Sequence, residues 1–407
     1  MEDFNPFDVS STHQLWALSA DLRRRQPVAR LASGVVYVSR YRDARAVLRQ
    51  PQIFSSQGGF KADGVEIPIG DALLGDFDEP EHGPVRRLAM AAAGPTRVDG
   101  ERDFALSSAR NLVGRLAGEG GTCDVVAALA LPLSSEVTAH LLGAPIEDAA
   151  RLYGWAEDIM HSDLPVYLRT SRGVGFHGAF PEYAAFVDHL IDERLDPSDT
   201  HDDAIKRIVD AVVEEQAAGA MPAKDVIFMI VSTLLLGGVT TTRDLIGWLL
   251  YELVRRPELY RAVAGDHALI PAAVEEVLRF YPPLLYLMRK CIVDTEINGF
   301  AVAEGERVLV GIASANRDEE VYPSADEFRI DRQDPAPQLT FGHGLHMCVG
   351  NALARMEAEV LLEAFLDEFD VDEVRVAPSF ALELMPAPFM YGPVAVDVVM
   401  EPAPTRP

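Results

Sequence analysis

Cysteine is scarce in this chain: Cys123, Cys291 and Cys348 are the only three in 407 residues. Three is an odd number and the spacings are wide, so no disulfide framework can be assembled. The opening Met1-Glu2-Asp3-Phe4-Asn5 has no secretory pattern, and a cytoplasmic location is expected. Positive charge is also short, with 36 Lys and Arg against 63 Asp and Glu and a formal net charge of −27. Such a chain repels phosphates, which argues against a nucleic-acid partner. Long apolar runs are missing as well. The longest, Val226 to Val239, is interrupted by Ser232, Thr233, Gly237 and Gly238 and is too short to span a bilayer, so no membrane anchor is expected. No Pro/Gly/Ser-rich linker, composition break or repeat divides the chain. At 48% hydrophobic it is expected to form one domain over 1–407, and to be a monomer.

What is present concentrates around Cys348. It sits inside the run Phe341-Gly342-His343-Gly344-Leu345-His346-Met347-Cys348-Val349-Gly350, just before a segment, Asn351 to Leu362, with apolar residues at helical spacing. A thiol at a helix N-terminus lies where free N–H groups and the positive dipole end favour the thiolate, the form that ligates metals. Gly342, Gly344 and Gly350 let backbone approach a flat partner that side chains would hold off. An iron porphyrin is such a partner.

The loop resembles that of the cytochrome P450 family, haem-thiolate enzymes whose cysteine loop reads Phe-x-x-Gly-x-His/Arg-x-Cys-x-Gly, followed here by Leu353-Ala354-Arg355. The resemblance implies haem b (iron protoporphyrin IX) with Cys348 as the iron ligand and Phe341, Gly342 and Gly350 shaping its seat. It also gives meaning to Glu276 and Arg279, which share a helix face. In the family this pair is joined by a later arginine, for which Arg332 stands at the matching place, and the cluster locks the cysteine loop. His82, Arg86 one helical turn on, Arg289 after Pro282-Pro283, and His346 match the residues that hold the haem propionates. Any one of them alone would read as an ordinary surface charge.

The apolar helical pattern from Val226 to Leu250 resembles the helix that crosses the distal haem face. At its centre Gly237-Gly238-Val239-Thr240-Thr241-Thr242 follows Ala/Gly-Gly-x-Asp/Glu-Thr-Thr except that Thr240 replaces the acid. Gly237 and Gly238 suggest a loosened turn that admits dioxygen. With the acid gone, proton delivery must use Thr240, Thr241, water, Asp244 or a hydroxyl of the substrate. Asp244 reads as a structural or solvated charge.

The expected fold is mainly α with small β-sheets, haem lying between the long distal helix and the cysteine loop and helix. Strands are expected at Val35 to Ser39 and Arg307 to Val310, a hairpin over Asp294 to Gly299, and helices over Phe104 to Ala117, Pro181 to Leu195, Asp202 to Ala217 and Glu357 to Phe369. Pro402 to Pro407 is expected to be disordered. The resemblance places the substrate among segments near Ile67 to Leu74 and Leu164 to Phe180, with Leu284, Leu285, Leu287 and Met390 as contacts. A medium-sized apolar or aromatic small molecule suits such a lining. Soluble members of this length resemble the bacterial type served by a ferredoxin-type electron donor, and Arg86, Arg87, His343 and Arg355 would form a basic patch for it. Arg23-Arg24-Arg25 reads as a solvated helix face. The implied activity is monooxygenation with O2. The missing acid leaves open oxidative coupling, desaturation or peroxide-driven oxidation on the same fold, and a non-enzymatic ligand binder or sensor.

Overall fold

The computed structural model describes residues 15–57, 59, 69–161, 175–216, 223–333, 335–387 and 389–400. The expected disordered tail from Pro402 and parts of two expected substrate segments, 67–68 and 164–174, lie outside the described residues.

The strongest apolar helical signal becomes the longest helix, Ala223–Arg255, with Asp225 in its first turn and Arg255 in its last, each complementing the macrodipole. It runs through the middle of the molecule, so its side chains are apolar all round rather than on one stripe. Helices Leu131–Leu142, Ala149–His161, Ala204–Gln216, Ile270–Phe280 and Asn351–Glu368 pack against it. Lys224–Arg255 is long and apolar enough to cross a bilayer, but its apolar window is 67% buried inside the protein, where it forms the core. Each leucine or isoleucine so buried contributes about 1.5–3 kcal/mol. Near the helix's C-terminal half, Trp248 stacks on Tyr281 at 4.1 Å and on Tyr391 at 5.2 Å and donates Nε1–H to the Tyr391 carbonyl at 2.7 Å. That contact ties the C-terminal segment to the central helix.

Helix Pro181–Leu195 has the bounds the pattern gives, with Pro181 pre-setting the first turn. The Phe104 to Ala117 pattern lies inside a longer helix, Pro95–Glu119, and that of Glu357 to Phe369 inside the helix Asn351–Glu368, apart from its last residue. The strands form a five-stranded sheet β1(Val28–Arg30)-β2(Val36–Val38)-β8(Arg307–Gly311)-β5(Tyr286–Cys291)-β3(Phe54–Ser55), in which β2 and β8 run parallel. β2 stops short of the expected Ser39 because Pro27, opposite it, accepts the Ser39 N–H but has no N–H of its own to return. The expected hairpin pairs β6(Thr295–Ile297) with β7(Phe300–Val302). Its turn residues Asn298 and Gly299 sit at φ 51° and 77°, as a type I′ turn requires. A third sheet, β4(Gly121–Asp124)-β10(Asp397–Met400)-β9(Val374–Val376), holds the end of the described chain. Mainly helical with small sheets is the observed class.

Arg23 departs from the expected solvated face. It is 3% exposed, donating Nε–H to Glu319 at 2.8 Å and Nη1–H to the carbonyl and hydroxyl of Ser314 at 3.1 Å, while Arg24 and Arg25 remain at the surface. A long stem that reaches a buried acceptor overrides the charge pattern.

Candidate active site

A cavity of about 850 Å³ opens between the central helix and the cysteine loop. On one wall the loop is fixed by its backbone: Cys348 N–H donates to Phe341 O at 2.8 Å and Gly342 N–H to Leu339 O at 2.8 Å. Gly344 has φ 78°, and a Cβ there would come within 2.9 Å of the Leu48 carbonyl, so only glycine fits. Phe341 lines the cavity and carries the Arg355 guanidinium over its ring at 4.5 Å. Cys348 is open to the cavity but crowded by protein elsewhere. Burial pushes its thiol up from the ordinary value, against the pull of the Gly350 N–H, Arg86 and Arg355. A cation in the cavity would offset that burial and favour the thiolate.

The loop is braced from behind. Arg279 grips Glu276 with two hydrogen bonds of 2.8 and 2.7 Å and gives its remaining protons to the carbonyls of Asn316, Ala325 and Glu327. Arg332 Nε reaches Glu276 Oε2 at 3.0 Å, and the Arg329 N–H donates to Glu276 Oε1 at 2.7 Å. From this cluster Asn316 carries the restraint forward, accepting the Leu339 N–H at 2.7 Å and donating to Thr340 Oγ1 at 2.9 Å, two residues before Gly342.

His82, Arg86, Arg289 and His346 all line the cavity. Both ring nitrogens of His82 and Nδ1 of His346 are buried without a partner, and the two rings lie 4.3 Å apart. His82 is pushed down to about 4, first by burial and then by His346 and Arg86. Arg289 is 5% exposed, donates Nη1–H to the Met288 carbonyl at 2.8 Å, and has no carboxylate within ion-pairing distance among the described residues. Burial lowers it to about 10. His346 Nε2 bonds Asp78 at 3.0 Å, and hydrogen bonds from His346 and Ser55 hold Asp78 below the usual carboxylate range despite burial. Arg86 donates Nη2–H to Met347 O at 2.6 Å. Buried donors left unsatisfied beside a thiol-bearing wall are what an anionic, flat metal cofactor would complete, so the residues present fit haem.

The opposite wall presents Leu234, Gly237, Gly238, Thr241, Thr242 and Leu245. Thr241 Oγ1 donates to the Gly237 carbonyl at 2.7 Å, while a Cβ on Gly237 would meet open space and one on Gly238 would sit 3.1 Å from Thr138 Oγ1. The helix runs unbroken here rather than loosening. Thr240 does not line the cavity: it is 2% exposed and its Oγ1 has no partner. Asp244 is buried too, paired with Arg243 and packed against the Gly392 backbone, off the cavity wall. Burial raises its carboxyl to about 6.

Leu284, Leu287 and Met390 line the cavity, with Leu284 bridging Met390 across an isolated antiparallel pair. Leu285 does not. It points into the core at 1% exposure while its N–H bonds the Phe389 carbonyl at 2.9 Å, the alternation an extended strand imposes. Leu73 and Leu74, at the end of the expected Ile67 to Leu74 segment, line the cavity, whereas sequence reasoning missed Met160, Thr138 and Glu357 there. Glu357 carried a readable signal, a lone acid among Leu353, Met356, Val360 and Leu361.

A model of the cytochrome P450 family matches residues 155–391. The steroid C26-monooxygenase of Mycobacterium tuberculosis (strain CDC 1551 / Oshkosh) is 31% identical over 384 residues, 94% of this chain and 99% of that protein. Erythromycin C-12 hydroxylase of Saccharopolyspora erythraea is 32% identical over 349 residues, 86% of this chain and 85% of its own. Among solved structures, a mutant of P450 EryK in complex with erythromycin B superposes with a TM-score of 0.85 at 28% identity, covering 98% of this chain and 99% of that one.

Proposed function

This chain belongs to the cytochrome P450 family and is a P450 monooxygenase; on that premise we propose that it inserts one oxygen atom of O2 into a medium-sized, uncharged apolar or aromatic molecule. Haem b would be its cofactor, a cytoplasmic ferredoxin its electron donor, and the monomer its working form. The observation that carries this reading is the facing of Cys348 and Thr241 across one cavity that is also lined by His82, with both ring nitrogens unpartnered, by His346, with Nδ1 unpartnered, and by the buried Arg289, which meets no carboxylate among the described residues.

Bound haem with thiolate ligation supplies dioxygen activation, the thiolate favouring O–O cleavage. The chain's residues prepare for it. Cys348 would ligate the iron, with Gly342 and Gly350 keeping side chains off the plane. His82, Arg86, Arg289 and His346 would hold the propionates, with Asp78 orienting His346 through its Nε2. Gly237 leaves open space beside the Thr241 hydroxyl, which would hold ordered water and pass protons from it. Glu276, Arg279 and Arg332 keep the cysteine loop in register. Leu284, Leu287, Met390, Leu234 and Phe389 would exclude bulk water and orient an apolar substrate. The relatives named for a steroid and for erythromycin support a bulky, weakly charged substrate class. The basic patch proposed for the ferredoxin is reduced at one member, since Arg355 pairs with Glu275. Arg45 adds to it by donating to His343 at 3.1 Å.

The absence of a carboxylate at Thr240 favours one second reading, peroxide-driven oxidation, coupling or desaturation on the same site. A spectral binding screen followed by turnover with a ferredoxin system and with peroxide separates the two. Oxygenated product with ferredoxin supports monooxygenation, and product with peroxide alone supports the second reading.

A further inference from the structure

We propose that Thr233 and Asp76 form a hydroxyl-recognition corner in the cavity, which takes the O–H of an alcohol on the substrate and thereby sets which carbon is oxidised. The proposal rests on the monooxygenase reading and narrows its substrate to an aliphatic alcohol attacked far from its own hydroxyl.

On the central helix the cavity lining begins at Thr233, eight residues and about 12 Å of helix axis before Thr241. Against it lies the short turn Leu74–Asp76, which presents Asp76 to the same cavity. The Thr233 hydroxyl accepts the Leu74 N–H at 2.9 Å, and Asp76 Oδ2 accepts the N–H of the preceding residue, Leu73, at 2.8 Å. Two successive amides thus bring a hydroxyl and a carboxylate to one corner. The segment that carries the turn is pinned at several points. Ser56 donates its hydroxyl proton to the Gly75 carbonyl at 2.5 Å, and Asp71 accepts the Phe176 N–H at 2.6 Å. Gly70 lies so close to Asp225 of the central helix that a Cβ would come within 3.3 Å of its carboxylate. Groups held in place before a ligand arrives lose little freedom on binding it.

The side chains of this corner offer acceptors. Thr233 spends its one proton on the Met229 carbonyl at 2.8 Å; with the Leu74 N–H on one lone pair, the oxygen has another left. An ionised carboxylate has no proton to give, and it accepts several donors at once, so Asp76 can take one more beside the Leu73 N–H. A substrate hydroxyl can donate here. A ketone or an ether would instead set its oxygen against these two with no proton between them, at the cost of desolvated lone pairs. An ammonium would shed more water than one carboxylate replaces.

Elsewhere the substrate wall is dominated by Leu73, Met160, Leu234, Leu284, Leu287 and Met390, aliphatic and thioether side chains that ask only for apolar surface. A skeleton anchored by its hydroxyl at Thr233 must span about 12 Å to reach Thr241. Fused saturated rings or an extended chain do so, and a single ring does not.

The test measures binding to holoprotein by equilibrium dialysis. Its probes are androstanol, with the hydroxyl on the first ring, and the corresponding methyl ether, ketone and amine; dodecanol and its methyl ether supply an unrelated skeleton. Wild type should hold each alcohol about tenfold more tightly than its analogues, the size of one hydrogen bond to a charged or polar acceptor. Thr233→Val should bring the alcohol-to-ether ratio toward one in both series. Asp76→Asn places an NH2 donor where a carboxylate stood, so the ketone should gain on the alcohol. A merely structural role for either residue would weaken all the probes alike. In turnover, androstanol should be oxygenated on the ring farthest from its hydroxyl. Equal affinity for alcohol and ether, tighter binding of ketone or amine, no binding of any probe, an alcohol preference that survives both substitutions, or oxygenation on the hydroxyl-bearing ring would overturn the proposal. Dialysis needs no turnover, so the expected preference without any oxygenated product would count against the monooxygenase reading and leave the corner standing.

Discussion

The two walls of the cavity are built on opposite principles. Behind Cys348, every charge has a partner: Glu276 is gripped by Arg279 and Arg332, and Asn316 and Thr340 pass that restraint to the loop through three hydrogen bonds, two of which end on a carbonyl or an N–H of the backbone. Across the cavity, the central helix leaves the Thr240 hydroxyl unpartnered, presents bare glycine at 237 and spends the Thr241 hydroxyl on the Gly237 carbonyl. One wall is fixed before any ligand arrives, and the other leaves open space at Gly237, beside the Thr241 hydroxyl, for what binds. A metal-ligand loop needs invariant geometry, whereas a wall that handles dioxygen, water and substrate needs free hydrogen-bonding capacity.

The largest way to break this contrast is to unlock the fixed wall. Glu276→Ala leaves Arg279 and Arg332 buried without their carboxylate, and removal of one member of such a cluster destabilises by about 3–5 kcal/mol. Denaturant melts should register that loss, with haem content falling alongside; stable protein carrying a full complement of haem would show the brace to be dispensable.

The rim between the walls is the next target. In the folded, ligand-free protein His82 titrates at about 4, below an unfolded value of 6.5. A histidine with a depressed pKa is neutral when folded, so the unfolded chain binds more protons between pH 6.5 and 4. Stability is therefore full above pH 6.5 and falls as pH drops through that window, by about 3 kcal/mol at most. Cofactor-free protein should show this slope in denaturant titrations across pH, and His82→Gln should flatten it. Bound propionate would raise His82 toward its ordinary value, so the slope should also shrink in holoprotein.

On the open wall, Thr241→Ala removes the only described hydroxyl that bonds the Gly237 carbonyl, and reductant should be diverted to peroxide with product formation slowed by up to about 10²-fold. Parallel assays of reductant consumed and product formed measure this. The smallest effect is expected at Thr240. Since its side chain lies off the cavity, Thr240→Asp should change coupling by less than Thr241→Ala does, and a large gain in coupling would show that the missing acid was limiting after all.

Legibility in the sequence followed the same division. The cysteine loop could be read residue by residue because backbone geometry and charge pairing admit few alternatives there: a glycine at φ 78° against the Leu48 carbonyl, a glutamate three residues before an arginine. The substrate wall could not, because its aliphatic residues are interchangeable with core and come from segments far apart. Leu284 and Leu285 differ only in which face of an extended segment they occupy. Arg23 was misread because charge pattern does not reveal that a buried carbonyl and hydroxyl of Ser314 await it. Glu357 escaped notice because acids are almost never fully buried, and that rarity makes its position informative once the fold is known.

The central claim is that Cys348 ligates haem iron as the thiolate, although burial in the ligand-free cavity favours the thiol. The most direct measurement is the absorption spectrum of the reduced, carbon-monoxide-bound protein, wild type beside Cys348→His. The account predicts the red-shifted Soret band of thiolate ligation in the wild type and its loss in the variant, with or without retained haem. The same band persisting in Cys348→His, or absent from freshly prepared wild-type holoprotein, would contradict it.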